Sequence, residues 1–111
     1  MNVNDLANDI AQGIKKSEEN VNYKIARETV KMNTKLSDEI NKFDKLRYQT
    51  QLEVMQTGKN DPDKLEKVQD MSAELIEQDV AKKYFEAETR FNVLVADVNK
   101  IIGEAIKDVM E

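Results

Sequence analysis

The last third of the chain carries an unbroken heptad pattern of apolar residues. Apolar side chains recur there at alternating steps of four and three residues: Val80, Tyr84, Ala87, Phe91, Leu94, Val98, Ile101 and Ala105. This spacing places them on one face of an α-helix. A second ridge beside that face consists of Phe85, Val95, Ile102, Ile106 and Val109. The two ridges predict a long helix over residues 80–109 with more than one neighbour.

The composition is typical of long helices joined by few turns. Charged residues make up 35% of the 111 residues and hydrophobic residues 40%, with only three glycines and one proline. A sheet protein with many tight turns would contain more glycine and proline. The length is enough for one domain and hardly for two. We therefore predict a single helical domain over residues 1–111.

Capping residues and turn signals divide the chain into five predicted helices. Candidate N-caps are Asn2 or Asn4, Ser17, and Thr34 or Ser37. Gly58 is a helix stop, and Asp61 before Pro62 is a helix start. Asp79 is a candidate cap at a weaker break. The sequence thus predicts an all-α antiparallel bundle with a long C-terminal helix, its helices spanning approximately residues 2–16, 18–32, 35–57, 62–77 and 80–109.

The side chains on which much enzymatic and metal chemistry depends are absent. The sequence has no histidine and no cysteine, so the commonest general base, thiolate metal ligands and disulfides are all missing. Most of the paired carboxylates fall at predicted helix starts, where acids stabilise the N-terminus. The scattered glycines form no phosphate-binding loop. We predict no catalytic residues, no cofactor, no metal site and no enzymatic activity.

Charge and hydropathy also exclude two classes of partner. The net charge is −5, and most lysines are interleaved with acids, whereas nucleic-acid binding needs clustered basic residues. No apolar run approaches the roughly 18 residues that a membrane span requires. The first residues lack the basic start and apolar centre of a signal peptide. The expectation is a cytoplasmic protein that binds neither nucleic acid nor membrane.

One basic residue lies on an apolar helix face. Arg47 falls on the same side of the predicted third helix as Ile40 and Phe43. It could anchor a ligand carboxylate, and together with carboxylates of the chain this gives an alternative function as a small-molecule or metal-binding bundle. The favoured interpretation is that its stem packs against the core while its guanidinium pairs with an acid.

The length of the last helix predicts self-association. Thirty residues extend about 45 Å, whereas a compact chain of this size has a diameter of roughly 35 Å. The overhanging apolar seam would be bare and would form an association site. We predict a homodimer or higher oligomer whose interface contains Tyr84, Ala87, Phe91, Leu94, Val98, Ile101, Ile102 and Ala105.

The whole chain resembles the YlbF/YmcA family of small helical bacterial proteins. The resemblance is carried by Val3 to Ile10, the start Ser17-Glu-Glu19 followed by Tyr23, Phe43 with the glutamine-rich run to Gly58, and Phe85-Glu-Ala-Glu88 through Val98-Asn-Lys-Ile-Ile102. Within the family, the sequence is most similar in character to the YheA-like branch.

The resemblance implies an all-helical fold, oligomers and no known enzymatic activity. Better-studied members of that family are regulatory partners that form complexes with related subunits and influence RNA processing, competence, sporulation and biofilm formation. Those complexes are linked to iron–sulfur clusters held by cysteines, a role that a chain without cysteine does not share. The predicted function is a non-catalytic regulatory or adaptor protein that binds its own copy and another protein.

Overall fold

The computed structural model describes residues 2–110 and contains five α-helices. They are α1 (Val3–Lys16), α2 (Glu18–Lys31), α3 (Thr34–Thr57), α4 (Pro62–Leu75) and α5 (Asp79–Met110). Within this range no residue lies in a β-strand. The predicted all-α fold with a long C-terminal helix is confirmed, and every predicted helix end lies within two residues of the observed one.

Side-chain caps begin the first three helices. The Asn2 carboxamide accepts a hydrogen bond from the backbone N–H of Asp5 at 2.8 Å. The Ser17 hydroxyl ends α1 and begins α2, because it accepts from the Asn20 N–H and donates to the Ile14 carbonyl. These two caps are as predicted.

The predicted cap of the third helix is wrong. Thr34 is already the first residue of α3 and Ser37 lies inside it. The cap is Asn33, whose backbone is extended and whose side chain accepts from the Leu36 N–H at 3.1 Å. Asparagine is among the strongest N-caps, so it takes this position ahead of the threonine that follows it.

A left-handed glycine and an aspartate cap followed by proline define the break between α3 and α4. Gly58 adopts the left-handed conformation, with φ of 72°, and ends α3, a backbone region that costs other residues steric strain. The Asp61 carboxylate accepts from the N–H groups of Asp63 and Lys64, with Pro62 as the first residue of α4. A break at residues 76–78 separates α4 from α5. Asp79 is the first residue of α5, so its predicted role as the cap before that helix is wrong.

The chain divides into two compact units. One contains Met1–Ala26 and Tyr84–Glu111, and the other contains Arg27–Lys83. Helices α2 and α5 each contribute residues to both. The single domain expected from the sequence length stays a prediction.

An antiparallel helix pair forms the centre of the Arg27–Lys83 unit. Lys64 near the start of α4 pairs with Glu53 near the end of α3, and this hydrogen bond raises the pKa of Lys64. Gln78, after α4, donates to Glu39 near the start of α3 at 3.2 Å. The buried apolar side chains of the unit are Val30, Leu36, Ile40, Phe43, Leu75 and Ala81.

The other unit is built on an aromatic cluster between α2 and α5. The Tyr23 ring lies 5.8 Å from the Tyr84 ring and 5.4 Å from the Phe91 ring, centroid to centroid. The hydroxyls of Tyr23 and Tyr84 each donate to the same carboxylate oxygen of Glu88 at 3.4 Å. This cluster holds the first half of α2 against the first half of α5.

Candidate protein-interaction surface

The heptad seam of α5 becomes steadily more exposed toward the C-terminus. Tyr84 and Ala87 are buried, with 8% and 9% of their surface exposed. Three seam residues that follow, Phe91, Leu94 and Val98, are half-buried. Ile101 is 70% exposed, and every described residue after it is exposed as well. One continuous apolar face is therefore covered by the chain itself at one end and bare at the other.

We refer to the bare end as the α5 strip. It consists of Ile101, Ile102, Ala105, Ile106 and Val109, all of them exposed. The strip continues the buried part of the seam. Ala87 and Ala105 are 18 residues apart, which is about five complete helical turns, so they lie on the same side of the helix.

The structure thus divides the eight predicted interface residues into three groups. Tyr84 and Ala87 already pack inside their own chain and offer little surface to a partner. Phe91, Leu94 and Val98 are half-covered. Ile101, Ile102 and Ala105 are exposed. Ile106 and Val109, which belong to the second apolar ridge of the sequence, extend the bare surface and were not among the predicted interface residues.

A second bare apolar face lies on α1 and was not predicted as a site. It consists of Val3, Leu6, Ala7, Ile10, Ala11 and Ile14, which we call the α1 strip. None of the residues of α1 is buried. Val3 is 80% exposed, whereas Ile14, at the other end of the strip, is half-buried. The helical spacing of these residues predicts the apolar face, but spacing alone does not reveal that the chain leaves it uncovered.

Arg47 has a carboxylate partner on its own helix. Its guanidinium donates to Asp44 at 2.9 Å and lies 5.1 Å from the centre of the Phe43 ring. This is the arrangement expected if the stem packs on the apolar face and the head pairs with an acid. No contact described for Arg47 therefore favours the alternative of a ligand-binding bundle.

The described residues form neither a metal-binding cluster nor a membrane span. Over residues 2–110, no three acidic, histidine or cysteine side chains are grouped so that they could hold a metal ion. No helix in the described part of the chain is long and apolar enough to cross a membrane.

These features define a small all-α protein built around one long amphipathic helix. The chain belongs to the YlbF/YmcA family, since the family model described as "Control of competence regulator ComK, YlbF/YmcA" matches residues 3–107. The family resemblance of the sequence is thereby confirmed. Membership of the YheA-like branch stays a prediction.

Relatives in several bacteria are similar over nearly their whole length. A UPF0342 protein of Symbiobacterium thermophilum is 32% identical over 102 residues, which cover 92% of this chain and 91% of that protein. A UPF0342 protein of Desulfitobacterium hafniense is 32% identical over 113 residues, covering 99% and 89%.

Two solved structures share the fold. A protein of unknown function (DUF964) from Bacillus stearothermophilus superposes with a TM-score of 0.81 at 18% sequence identity, covering 98% of this chain and 96% of that one. Bacillus subtilis RicA, solved in complex with RicF, gives a TM-score of 0.60 at 23% identity and the same coverage. At these identities the two structures establish the fold and nothing finer.

Proposed function

We propose that this protein is a non-catalytic regulatory adaptor that self-associates through the α5 strip and binds a further protein. The observation that carries the proposal is the change in exposure along one helix face, from a buried Ala87 to a bare Ala105. An apolar face of this kind is an association site. We assign a second copy of the chain as its occupant, because the strip continues a face that the chain already buries in its own interior.

Family membership supports the regulatory part of the proposal. The family is described by its control of a competence regulator, and the structure of RicA was solved with a second protein, RicF, bound. A protein of this fold thus contacts another protein in at least one case. If this chain both self-associates and makes such a contact, it would hold several copies of itself and a second protein in one complex. It would do so in the cytoplasm and without an enzymatic activity of its own.

The mass of the protein in solution tests self-association. Multi-angle light scattering at micromolar concentration should give at least twice the 12.8 kDa of one chain. Ile101→Glu should lower this mass toward one chain, because it places a charge in the strip and removes an apolar side chain that is 70% exposed in the isolated chain. Its loss from both copies is worth about 2–4 kcal/mol per dimer, or roughly a 30- to 1,000-fold rise in Kd.

A neighbouring residue provides the control. Lys100 is exposed and lies next to Ile101 in sequence, but on the opposite side of α5 from the centre of the strip. Lys100→Glu changes the net charge by two and should leave the mass unchanged. A wild-type mass of one chain would refute self-association.

Affinity capture from the native cell tests the adaptor role. The protein is tagged at native abundance, and the proteins recovered with it are identified by mass spectrometry. A second protein should be recovered in a fixed ratio with the bait, in wild type and in Lys100→Glu alike. Recovery of nothing except copies of the chain itself would count against the adaptor role and leave self-association standing.

A further inference from the structure

The lack of any buried residue in α1 requires an explanation. The helix has a side-chain cap at Asn2, acid in its first turn and two lysines in its last turn. A helix of 14 residues is marginal in water on its own, and most helices are stabilised by covering their apolar face. The α1 strip is such a face, and its own chain leaves most of it bare. A surface of another molecule would cover this apolar face.

The apolar area of the two strips indicates that they belong to one interface. A full apolar side chain carries about 60–120 Å² of accessible area. With the exposed fractions of its four largest side chains, the α5 strip offers about 150–300 Å². In a standard interface each partner contributes about 800 Å², of which roughly 450–500 Å² is apolar. The α5 strip alone falls short of that amount.

The α1 strip makes up the difference. Val3, Leu6 and Ile10 are between 42% and 80% exposed, which adds about 100–200 Å² of apolar surface. The two strips together then offer about 250–500 Å², and the upper end of this estimate reaches the apolar area that one partner of a standard interface contributes. Both strips belong to the same compact unit of the chain.

Charges beside the strips indicate which helix covers which. Three acids, Asp97, Glu104 and Asp108, follow one edge of the α5 strip, about 20–60° around the helix from Ile101. If two α5 strips met as antiparallel helices across a two-fold axis, these same edges would face each other, acid against acid.

One edge of the α1 strip carries a basic residue. Lys15 lies beside Ala11, about 40° around α1. Of the two acids of this helix, Asp5 falls on the far side and Asp9 lies beside the other edge of the strip, about 60° from Leu6. A basic edge of α1 would therefore meet the acidic edge of α5, which favours pairing between the two strips.

We propose that the α1 strip of one copy covers the α5 strip of a second copy, and that the reverse contact forms at the same time across a two-fold axis. This inference rests on the self-association proposed above. It adds α1 to the interface and names the surface that occupies the α5 strip. Each protomer then contributes its α1, which covers the α5 strip of the other copy, and its own α5 strip, which the α1 of the other copy covers.

The first test is a pair of substitutions on the two sides of α1. Leu6→Glu places a charge in the α1 strip and should raise the dimer Kd about 10- to 150-fold, since both copies lose a side chain that is 49% exposed in the isolated chain. Gln12→Glu adds the same charge to an exposed position on the side of α1 opposite the strip and should change the Kd less than threefold. Analytical ultracentrifugation over a concentration series measures both values.

The second test uses the lack of cysteine in the sequence. Two differently tagged chains are co-expressed, one carrying Leu6→Cys and the other Ile102→Cys, and a short bis-maleimide is added. Because each chain then holds one cysteine, every crosslink joins two chains. The mixed pair should link efficiently. Replacing Leu6→Cys by Gln12→Cys, on the opposite side of α1, should remove most of that product.

The outcomes separate this inference from the proposed function. A monomeric wild type refutes both. A dimer that is broken by Ile101→Glu but not by Leu6→Glu, and that links Ile102→Cys only to itself, overturns the role of α1 and leaves self-association through α5 intact. A mixed α1–α5 crosslink together with the weakened Leu6→Glu dimer supports the inference. If another protein is the occupant of the strips, the isolated chain stays monomeric and the mixed crosslink does not form.

Discussion

Two alanines on α5 allow the effect of burial to be separated from the effect of the residue itself. Ala87 and Ala105 lie on the same side of one helix, about five turns apart, but Ala87 is buried and Ala105 is exposed. We consider Ala87→Asp and Ala105→Asp. The loss of intrinsic helix propensity is similar at both sites and is at most about 0.7 kcal/mol. Any larger difference between the two variants therefore reports on what covers each position.

The expected cost is much larger at Ala87. A carboxylate placed there loses water and crowds a covered site, and these two effects together cost about 2–5 kcal/mol. Glu18, Glu19 and Arg90 line the groove beside Ala87, so repulsion from the two acids is partly offset by attraction to the arginine and the main cost is burial. At Ala105 only the propensity cost applies in the isolated chain. Since 1 kcal/mol shifts the Tm of a domain of this size by about 4–8 °C, Ala87→Asp should lower the Tm by about 10 °C or more and Ala105→Asp by about 5 °C or less.

Circular dichroism at two protein concentrations measures both effects. At a dilute concentration, where light scattering gives the mass of one chain, only Ala87→Asp should lower the Tm strongly. At a high concentration the wild-type Tm should rise, because association stabilises the folded state. Ala105→Asp should lose this rise and Ala87→Asp should keep it. Equal destabilisation by the two variants in the dilute sample would refute the difference in burial on which the α5 strip is defined.

Three further comparisons test the fold by urea unfolding. Leu36→Ala should lower the free energy of unfolding by about 3–5 kcal/mol, because Leu36 is 2% exposed, whereas the exposed Met55→Ala should stay within about 0.5 kcal/mol of wild type. Gly58→Ala should cost about 1–2 kcal/mol, since φ is 72° there, whereas Gly103→Ala, inside α5 with open space around it, should stabilise by up to about 1 kcal/mol. Tyr23→Phe should cost about 0.5–1.5 kcal/mol by removing one hydrogen bond to Glu88, whereas Tyr23→Ala should cost about 3–5 kcal/mol by removing the ring contacts as well. A reversed order within any pair would contradict the packing described.

The helices of this chain are largely determined by local signals, and the sequence therefore predicts them well. Ser17, Gly58 and Asp61 act on the backbone within a few residues of themselves, through side-chain caps or a left-handed turn. The wrong cap of α3 also has a local cause. The sequence places the break between α2 and α3 within residues 32–34, where Asn33 and Thr34 are both possible N-caps. Asparagine is the stronger N-cap of the two.

The extent of the bare surface could not be predicted from the same signals. Heptad spacing identifies the apolar side of α5, but it gives Ala87 and Ala105 equivalent positions. Burial of Ala87 depends on a distant part of the chain, since Tyr23 of α2 packs on the turns around Glu88. For the same reason, helical spacing could not predict that the apolar face of α1 is bare. An apolar stripe predicts that something covers it, and only the fold shows that its own chain does not.

The gradual loss of burial along α5 also has a consequence for backbone dynamics. Amides near Ala87 are protected by packing, and they should exchange with solvent only when the unit opens. Amides beyond Ile101 have only the hydrogen bonds of the helix itself, and the last turns of such a helix fray readily in water. Hydrogen exchange in the dilute protein should therefore accelerate from residue 87 toward residue 110. When a second copy binds, the slowly exchanging part of α5 should lengthen, so the number of well-ordered turns in this helix becomes a function of protein concentration.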